Sequence, residues 1–389
     1  MNILYHFRTR GTGAEGVHVA GMVKAFRQQG HQVVLSSPTG IDPCASAGAD
    51  PFALAGKRGF WAWISRYSPG FVFELLEIGY NLSALLRNRR LLRAGHFDMI
   101  YERHAFFLFS TAWLAQRREI PLIVEVNELA GDPRVRKPPF FRWLARWSDS
   151  FTFRRATLIV TVSPYLKRRI LALGIAPEKV IVLPNGVEKE AYATLASGEE
   201  VRNALGLNGC MVIGFVGWLV PWHRLDWLVT MFAGLARERR ELRLLIIGEG
   251  PLKSVLADIA AKEGVTENVI FCGAVPHDRI PAHIAAMDLA VVPHTNEYRS
   301  PIKLFEYMGQ GKAVVAPRLE PVEMIITDGV NGRLFPPDDE AAFRQVLEEL
   351  IRNREVRNNL GARARLDVLD KYTWNRNAEA VLRQLRIED

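Results

Sequence analysis

Residues 288–317 read DLAVVPHTNEYRSPIKLFEYMGQGKAVVAP: an apolar run, a polar turn, an amphipathic run and a second apolar run. Two short apolar runs on either side of a helical pattern predict a strand–helix–strand unit with parallel strands. We expect the helix to be capped by Ser300, to have Pro301 as its first residue and to end at Gly309 or Gly311.

The same alternation extends over the rest of the chain. Apolar runs such as NILYHF, HQVVLSS and PLIVEVN alternate with amphipathic runs before a breaker cluster, Pro184-Asn185-Gly186. A second series, with MVIGFVG, LRLLIIGEG and NVIFCGAV, follows it. The pattern predicts an α/β protein with two similar, doubly wound (Rossmann-like) domains that face a central cleft, where ligands bind beyond the carboxyl ends of the strands.

Composition narrows the class of protein. Hydrophobic residues make up 49% and charged residues 24% of the 389 positions, which is typical of a folded soluble chain, and no run is long enough to span a membrane. Three cysteines without ligand spacing predict free, mostly buried thiols and a cytoplasmic location.

The positive charge is unevenly distributed. Residues 1–190 hold 26 Lys+Arg against 15 Asp+Glu, a net +11, and the remaining residues carry the difference from the total of +8, a net −3. A basic half favours an anionic substrate or membrane surface. No zinc, RNA-binding or DNA-binding motif accompanies the charge, so we do not expect nucleic acid as a partner.

The first strand is followed by GTGAEG, residues 11–16, which has the spacing of a dinucleotide-binding loop. The second strand ends in serines where an acid would bind the ribose of NAD, so the loop does not favour NAD. A turn without a ligand and a contact to a phosphate or sugar, through Gly13, both remain open.

Lys303 and Glu306 lie on one face of the helix in the opening stretch. A lysine in the first turn opposes the helix dipole, unless an anionic ligand binds there. A carboxylate accepts two hydrogen bonds, which suits the vicinal diol of a ribose. The alternative is a solvated ion pair between the two side chains.

The second half resembles one family closely. SPIKLFEYMGQGKAVVAP, VLPNGV, GFVGWLVPWHRLDWLV, IIGEGP and DGVNGRLFPPDD are similar to ordered motifs of the retaining GT-B glycosyltransferases of family four, the glycosyl transferases group 1. The first half resembles the family more loosely. The resemblance implies a GT-B fold with an acceptor-binding domain over 1–190, a donor-binding domain over 191–370 and a terminal helix over 371–389 that packs back toward the first domain.

The resemblance also implies site residues. Lys303, His223 and Asn127 are expected to take part in catalysis, with Glu306 on the ribose. Contacts to the donor are expected at Gly13, Gly217, Trp218, Val275, Tyr298, Ser300, Pro301, Ile302, Lys303 and Glu306. Contacts to the acceptor are expected at Glu102, His104 and Glu128, and His18 is a further candidate near the acceptor.

The chain departs from the family pattern at four of these positions. Tyr298 stands where the first glutamate of the E-x7-E signature is usual, and Trp218 and His223 replace the Arg and Lys that neutralise the diphosphate. We therefore expect His223 to share that cationic role with Lys303. Asn127 replaces a histidine; an amide can orient a hydroxyl group but cannot act as a general base.

Two segments of the first half, 57–76 and 136–155, mix Arg and Lys with Trp and Phe. The second places Phe141, Leu144 and Trp147 on one predicted helical face. Such a helix suits either an anionic membrane surface or the core of its own domain.

The expected function is transfer of a sugar, with retention, from a nucleotide diphosphate sugar (a UDP- or GDP-sugar) to a sugar, lipid-linked or small-molecule acceptor, in surface polysaccharide or glycoconjugate biosynthesis. We expect no essential cofactor and no metal site, since no Asp-x-Asp pair is evident. The expected location is the cytoplasm, at the inner face of the cell membrane. A sugar-nucleotide epimerase and a non-catalytic nucleotide-sugar-binding subunit are the alternatives.

Overall fold

The computed structural model describes residues 1–9, 13–44, 70–131 and 140–386. The chain divides into two compact units: unit 1 comprises Met1–Pro184 and Trp374–Asp389, and unit 2 comprises Asn185–Thr373. The chain thus crosses between units inside the predicted breaker cluster, at residue 184 rather than 190, and returns after residue 373 rather than 370.

Unit 1 is built on a parallel sheet in the order β2-β1-β3-β4-β5-β6. Its strands are Asn2–His6 (β1), Gln32–Ser36 (β2), Met99–Arg103 (β3), Leu122–Val126 (β4), Leu158–Thr161 (β5) and Val180–Val182 (β6). Its helices are Gly13–Gln28 (α1), Gly70–Ala94 (α2), Ser110–Arg118 (α3), Arg142–Arg155 (α4) and Pro164–Leu171 (α5).

Unit 2 has a second parallel sheet, in the order β12-β11-β10-β7-β8-β9. Its strands are Met211–Val216 (β7), Leu242–Ile247 (β8), Val269–Gly273 (β9), Leu289–Val291 (β10), Ala313–Pro317 (β11) and Arg333–Phe335 (β12). Its helices are Glu199–Ala204 (α6), Leu225–Glu238 (α7), Lys253–Lys262 (α8), Ile280–Ala285 (α9), Ile302–Gly309 (α10), Glu320–Glu323 (α11), Glu340–Arg352 (α12) and Arg354–Lys371 (α13).

The apolar runs of the sequence form these strands, most of which are buried, whereas the edge strand β2 is partly exposed. Two buried clusters flank the unit 2 sheet, one containing Phe215 and Phe232 and the other Leu245 and Phe305. The predicted α/β class with two doubly wound domains is confirmed. The strand order of unit 2 reverses between β7 and β10, which is the point where doubly wound sheets open a crevice for ligands.

The last helix, Trp374–Arg386 (α14), belongs to unit 1 and packs on α1. Trp374 is buried there, and a Cβ on Gly21 would overlap its indole ring, so this close approach needs a glycine. The chain therefore ends on the unit in which it began.

One expectation about side chains needs correction. Cys44, Cys210 and Cys272 are free, as predicted, but all three are half-buried rather than buried, because each lies at the margin of its core. No helix of the described ranges combines the length and the hydropathy needed to cross a membrane.

Candidate donor and acceptor sites

The candidate donor site lies at the carboxyl edge of the unit 2 sheet, beside the reversal of strand order. β7 ends at Val216, and Gly217 follows with a φ of +147°, a conformation that side chains rarely adopt. Helix α10 begins at Ile302, beyond the end of β10. The amino end of α10 and the turn after β7 therefore meet at the same edge.

Lys303 projects from the first turn of α10 into this edge. Its Nζ lies 3.9 Å from the centre of the Phe215 ring and 3.4 Å from Nε2 of His223. A Cβ on Gly217 would fall 2.5 Å from the same nitrogen, so a side chain here would displace the ammonium group from its present position. Burial lowers the pKa of Lys303 to about 7.

His223 is the near neighbour of that ammonium group, and it is neutral at pH 7. Burial and the positive charge of Lys303 lower the pKa of His223 to about 2. Its Nδ1 faces the carbonyl oxygen of His294 at 3.4 Å, so Nδ1 carries the hydrogen and Nε2 accepts from Lys303. The expectation that His223 shares the cationic role is therefore wrong for this structure, because two cations cannot both be buried at this distance.

Glu306 lies one turn further along α10 and does not pair with Lys303. Its Oε1 is 2.9 Å from Nε2 of His277, and the carboxylate is largely buried whereas the imidazole is half exposed. The two charged groups of the opening stretch thus have separate neighbours, and the ion pair between them is not formed. His277 was missed from sequence, because it lies in the turn after β9 and nothing in PHDR marks it as a partner of α10.

The predicted cap of α10 is wrong. The capping residue is Pro301, and the Ser300 hydroxyl accepts a hydrogen bond from the backbone N–H of Asn185 at 3.0 Å instead. The amide nitrogen of Asn185 in turn donates to the carbonyl oxygen of Ser300 at 2.6 Å. The loop before α10 is therefore tied to the first residue of unit 2, 115 positions earlier in the chain, a pairing that no local signal could predict.

The other donor candidates occupy different surroundings. Trp218 is 54% exposed, whereas Tyr298 is buried with its ring beneath the guanidinium group of Arg299. Val275 and Ile302 are half-buried. The structure thus gathers Gly217, Ser300, Pro301, Ile302 and Lys303, with His223 beside them, around the β7 and β10 ends.

The glycine loop of unit 1 is described only in part. Gly13 is the first residue of α1, and residues 10–12, with Gly11, lie outside the described residues. Gly13 belongs to unit 1 and the Lys303 cluster to unit 2.

Asn127 follows β4 at the carboxyl edge of the unit 1 sheet, as the sequence predicts. Its Nδ2 is 2.7 Å from Oε1 of Glu125, and Nε2 of His18 is 2.7 Å from Oε2 of the same carboxylate. His18 is buried on α1 with its ring edge against Trp374. Glu125 was missed from sequence, because an acid inside an apolar strand gives no sign of its partners.

The expected acceptor residues differ in accessibility. Glu102 is fully buried with its Oε2 2.7 Å from Nδ1 of His6, and the His104 ring is buried against Asp149 at 3.0 Å. Both side chains therefore lie inside unit 1, Glu102 paired with the adjacent strand β1 and His104 paired with helix α4. Glu128 is half-buried in the loop after β4 and is the one of the three that lies near the surface.

Comparisons with known proteins agree with this geometry. A family model described as "Glycosyl transferase 4-like domain" matches residues 13–186, and one described as "Glycosyl transferases group 1" matches residues 210–353. Together the two models span most of both units. The chain belongs to this glycosyltransferase family, and its fold class is GT-B.

Individual relatives are more distant. The chain is 28% identical to a D-inositol 3-phosphate glycosyltransferase of Stackebrandtia nassauensis over 398 residues, which cover 96% of this chain and 87% of that protein. Its fold is similar to that of the Anabaena protein HepE in complex with UDP, with a TM-score of 0.72, 17% identity and coverage of 99% and 100% of the two chains. A complex of HepE with UDP-glucose matches with a TM-score of 0.71, 18% identity and coverage of 98% and 99%.

Proposed function

We propose that this chain transfers a sugar from a nucleotide diphosphate sugar to an acceptor with retention of configuration, and that residues 191–370 bind the donor and residues 1–190 the acceptor. The observation that carries the proposal is the Lys303 ammonium group, which lies beside Gly217 at the amino end of α10 without an acidic partner in contact among the described residues. A buried cation at a helix amino end, where the strand order reverses, is suited to a diphosphate.

In this proposal, charge develops on the diphosphate as the bond to the sugar breaks. The Lys303 ammonium group, which donates to Nε2 of the neutral His223, and the free N–H groups of α10 would stabilise that charge. Glu306 would accept the ribose hydroxyl groups. Its Oε1 already faces His277, so Oε2 is the oxygen through which we expect the ribose to bind.

HepE binds UDP and UDP-glucose, which supports a UDP-sugar as the first donor to test, with GDP-sugars as the comparison. The relative named for D-inositol 3-phosphate supports a small polyol phosphate as one acceptor class. A lipid-linked sugar of surface polysaccharide or glycoconjugate assembly is the other.

Release of nucleoside diphosphate in a matrix of donors and acceptors tests the proposal. We expect release that depends on both, and a product in which the anomeric configuration of the donor sugar is kept. Release or rearrangement without acceptor would indicate the epimerase alternative. Binding of a nucleotide sugar, seen as thermal stabilisation, without any conversion would indicate a binding subunit.

We also propose that unit 1 rests on an anionic membrane surface, at the inner face of the cell membrane. Two residues of the predicted face, Phe141 and Leu144, pack inward against a small core cluster, which is the second of the two alternatives for that face. The exposed face of α4 instead carries Trp143, which is 70% exposed, and Trp147, together with exposed arginines. The arginines on this side are Arg146 and Arg154.

A second exposed apolar stripe runs along α2. At about 100° per residue, four exposed side chains lie within about 60° of one another on this helix. They are Phe71, Leu75, Leu82 and Leu86. Exposed Arg89 and Arg93 continue the stripe toward the end of the helix. Exposed aromatic and aliphatic side chains edged by arginine suit the interface of an anionic bilayer.

The two helices join at their amino ends. The Glu74 carboxylate accepts hydrogen bonds from the backbone N–H groups of Phe140 and Phe141, at 2.6 and 2.7 Å, and the Phe71 and Phe140 rings are 6.0 Å apart. Residues 57–69 and 136–139 of the basic aromatic segments lie outside the described residues. The apolar face of α2 and that of α4 are therefore linked where they begin.

Co-sedimentation with vesicles tests the membrane proposal. We expect binding to vesicles that contain anionic lipid, loss of binding in high salt, and loss in the variant Trp143→Ser/Trp147→Ser. Leu366→Ser is the matched control, since Leu366 is 65% exposed on α13 of unit 2. Equal binding of wild type and the double variant, or no binding at low salt, would contradict the proposal.

A further inference from the structure

One carboxylate, that of Glu125, has four close polar neighbours at the carboxyl edge of the unit 1 sheet. Oε1 accepts hydrogen bonds from Nη1 of Arg103 at 2.6 Å and from Nδ2 of Asn127 at 2.7 Å. Oε2 accepts a hydrogen bond from the Tyr101 hydroxyl at 2.9 Å and lies 2.7 Å from Nε2 of His18 in an ion-pair contact. Three hydrogen bonds and this contact surround a carboxylate that has about four lone-pair positions.

The carboxylate is fully buried and ionised. Burial alone would raise the pKa of Glu125, but the charges of His18 and Arg103 and the hydrogen bonds from His18 and Asn127 lower it to about 2. Across the physiological range the group is therefore an acceptor only, and each group that touches it must present a hydrogen.

This requirement fixes the amide of Asn127. An amide has an NH₂ side and a carbonyl side, and only the NH₂ side can face an ionised carboxylate. Asn127 is half-buried, directly after the last residue of β4. With Nδ2 committed to Glu125, the carbonyl oxygen Oδ1 is the atom on the opposite side of the amide.

We propose that Glu125 is a positioning residue that holds the Asn127 amide with its carbonyl oxygen toward the substrate, so that this position selects a sugar hydroxyl group that donates a hydrogen bond. The inference rests on the proposed function, because it assigns a sugar as the ligand of this edge. The hydroxyl group belongs either to the donor sugar or to the acceptor, and the substrate analogues below distinguish the two.

The remaining charged and titratable groups near Glu125 keep it in place. His18 reaches it from α1, Tyr101 and Arg103 from β3, and Tyr5 of β1 is close enough for its pKa to be raised by burial and then by the negative charge of Glu125. Substitution of Glu125 by glutamine can keep a carbonyl oxygen toward Arg103 and Asn127 and turn its NH₂ group to Tyr101 and His18. The Tyr101 hydroxyl accepts as well as donates, and a neutral imidazole accepts at Nε2 when its hydrogen is on Nδ1. Glu125→Gln is therefore the conservative variant.

The contact between Glu125 and Asn127 is tested by placing a second carboxylate at position 127. In Asn127→Asp, two carboxyl groups would lie at hydrogen-bond distance, and they cannot both ionise at ordinary pKa values. We expect the pH profile of kcat/KM to gain an ionisation that wild type lacks, and the double variant Glu125→Gln/Asn127→Asp to lose it again. Asn127→Asp should also lose thermal stability relative to wild type as pH rises above about 4, the ordinary pKa of Asp.

The orientation of the Asn127 amide, with its carbonyl oxygen toward the sugar, is tested by sugar analogues in which one hydroxyl group at a time is replaced by hydrogen or by fluorine. Fluorine cannot donate, so both replacements at the selected position should lower kcat/KM by about the tenfold that one hydrogen bond provides. The penalty should persist in Glu125→Gln and vanish in Asn127→Ala. Analogues of the donor and of the acceptor are tested in separate series, so that the series with the penalty identifies the hydroxyl.

Each of these results either supports or contradicts the proposed role of Glu125 and Asn127. An ordinary pH profile and an ordinary stability curve for Asn127→Asp would overturn the contact, and this stability arm needs no activity. A fluorinated sugar that reacts like the natural one, or a penalty that survives in Asn127→Ala, would overturn this orientation of the amide. Absence of transfer by wild type would instead count against the proposed function and leave the stability arm to decide on Glu125.

Discussion

Substitution of Lys303 by methionine should stabilise the folded protein and at the same time lower its affinity for the donor. Methionine keeps an unbranched chain of similar length but carries no charge. The pKa of Lys303 falls from an ordinary 10.5 to about 7. At about 1.36 kcal/mol per pKa unit this sets an upper limit of about 5 kcal/mol for the cost of burying the ammonium group. Because the side chain is only half-buried, we expect a gain of about 1–2 kcal/mol.

The sign of the pH dependence follows from proton binding. Between about pH 7 and 10.5 the unfolded chain holds the Lys303 proton and the folded chain does not, so wild-type stability rises with pH in this range. The gain in Lys303→Met should therefore be largest below pH 7 and shrink toward pH 10.5. Thermal unfolding should show a rise in Tm of roughly 2–4 °C per kcal/mol for a domain of this size.

The same substitution should lower the affinity for the donor, although it raises stability. A charge-assisted hydrogen bond contributes about 1.5–3 kcal/mol, so Lys303→Met should bind UDP-glucose about 10- to 150-fold more weakly by calorimetry. Lys312→Met is the matched control, because burial lowers the pKa of Lys312 to about 8 and its Nζ donates to the carbonyl oxygens of Ala285 and Met287. The control should lose stability and keep its donor affinity. A Lys303→Met variant that is less stable and binds the donor normally would refute the reasoning.

Three further predictions concern the same edge of unit 2. Affinity for an intact nucleotide sugar should fall about tenfold from pH 6 to pH 8 in calorimetric titrations, because Lys303 loses its proton through a pKa of about 7; a flat profile would count against the cation. Gly217→Ala should weaken donor binding at least tenfold, since its Cβ would fall 2.5 Å from Lys303 Nζ. The control Gly329→Ala, at a residue with a positive φ but open space around it, should lose stability and keep its donor affinity. Equal donor affinities of Gly217→Ala and wild type would show that the close approach of Gly217 to Lys303 is not needed. Glu306→Gln should raise the KM for the donor more than His277→Ala, which breaks a half-exposed pair worth less than about fivefold in binding; the reverse order would exclude Glu306 as the ribose ligand.

Much of the fold could be predicted because the local hydrophobic periodicity of the sequence indicates where its helices and strands lie. β10, α10 and β11 follow the apolar, amphipathic and apolar runs of residues 288–317, and α10 ends at Gly309 as expected. The order of strands could not be predicted in this way. It depends on which strands pair across the sheet, and β7 pairs with β10 over more than 70 intervening residues.

The residues of the candidate site that lie on one helix could be predicted from sequence. Those that come from distant segments of the chain could not. Lys303 and Glu306 share a helix, so their common face follows from spacing. Their neighbours, His223 and His277, come from turns after other strands, and His223 is neutral because of burial that the sequence does not display.

The same limit applies in unit 1. Glu102 lies 96 residues from His6, and the two pair inside the sheet because β1 and β3 are adjacent. The resemblance suggested Glu102 as an acceptor contact but could not show this pairing. For α4, helical periodicity gives the faces of the helix but not which of them packs inward, so both alternatives stayed open until the structure placed Phe141 and Leu144 against the core cluster.

A structure of the chain with UDP-glucose or another nucleotide sugar bound tests the central claim most directly. The account predicts the diphosphate within hydrogen-bond distance of Lys303 Nζ, beside His223 and the amino end of α10, with the ribose hydroxyl groups on Glu306. A diphosphate bound elsewhere, with the Lys303 ammonium group still packed on Phe215 and out of contact, would contradict it.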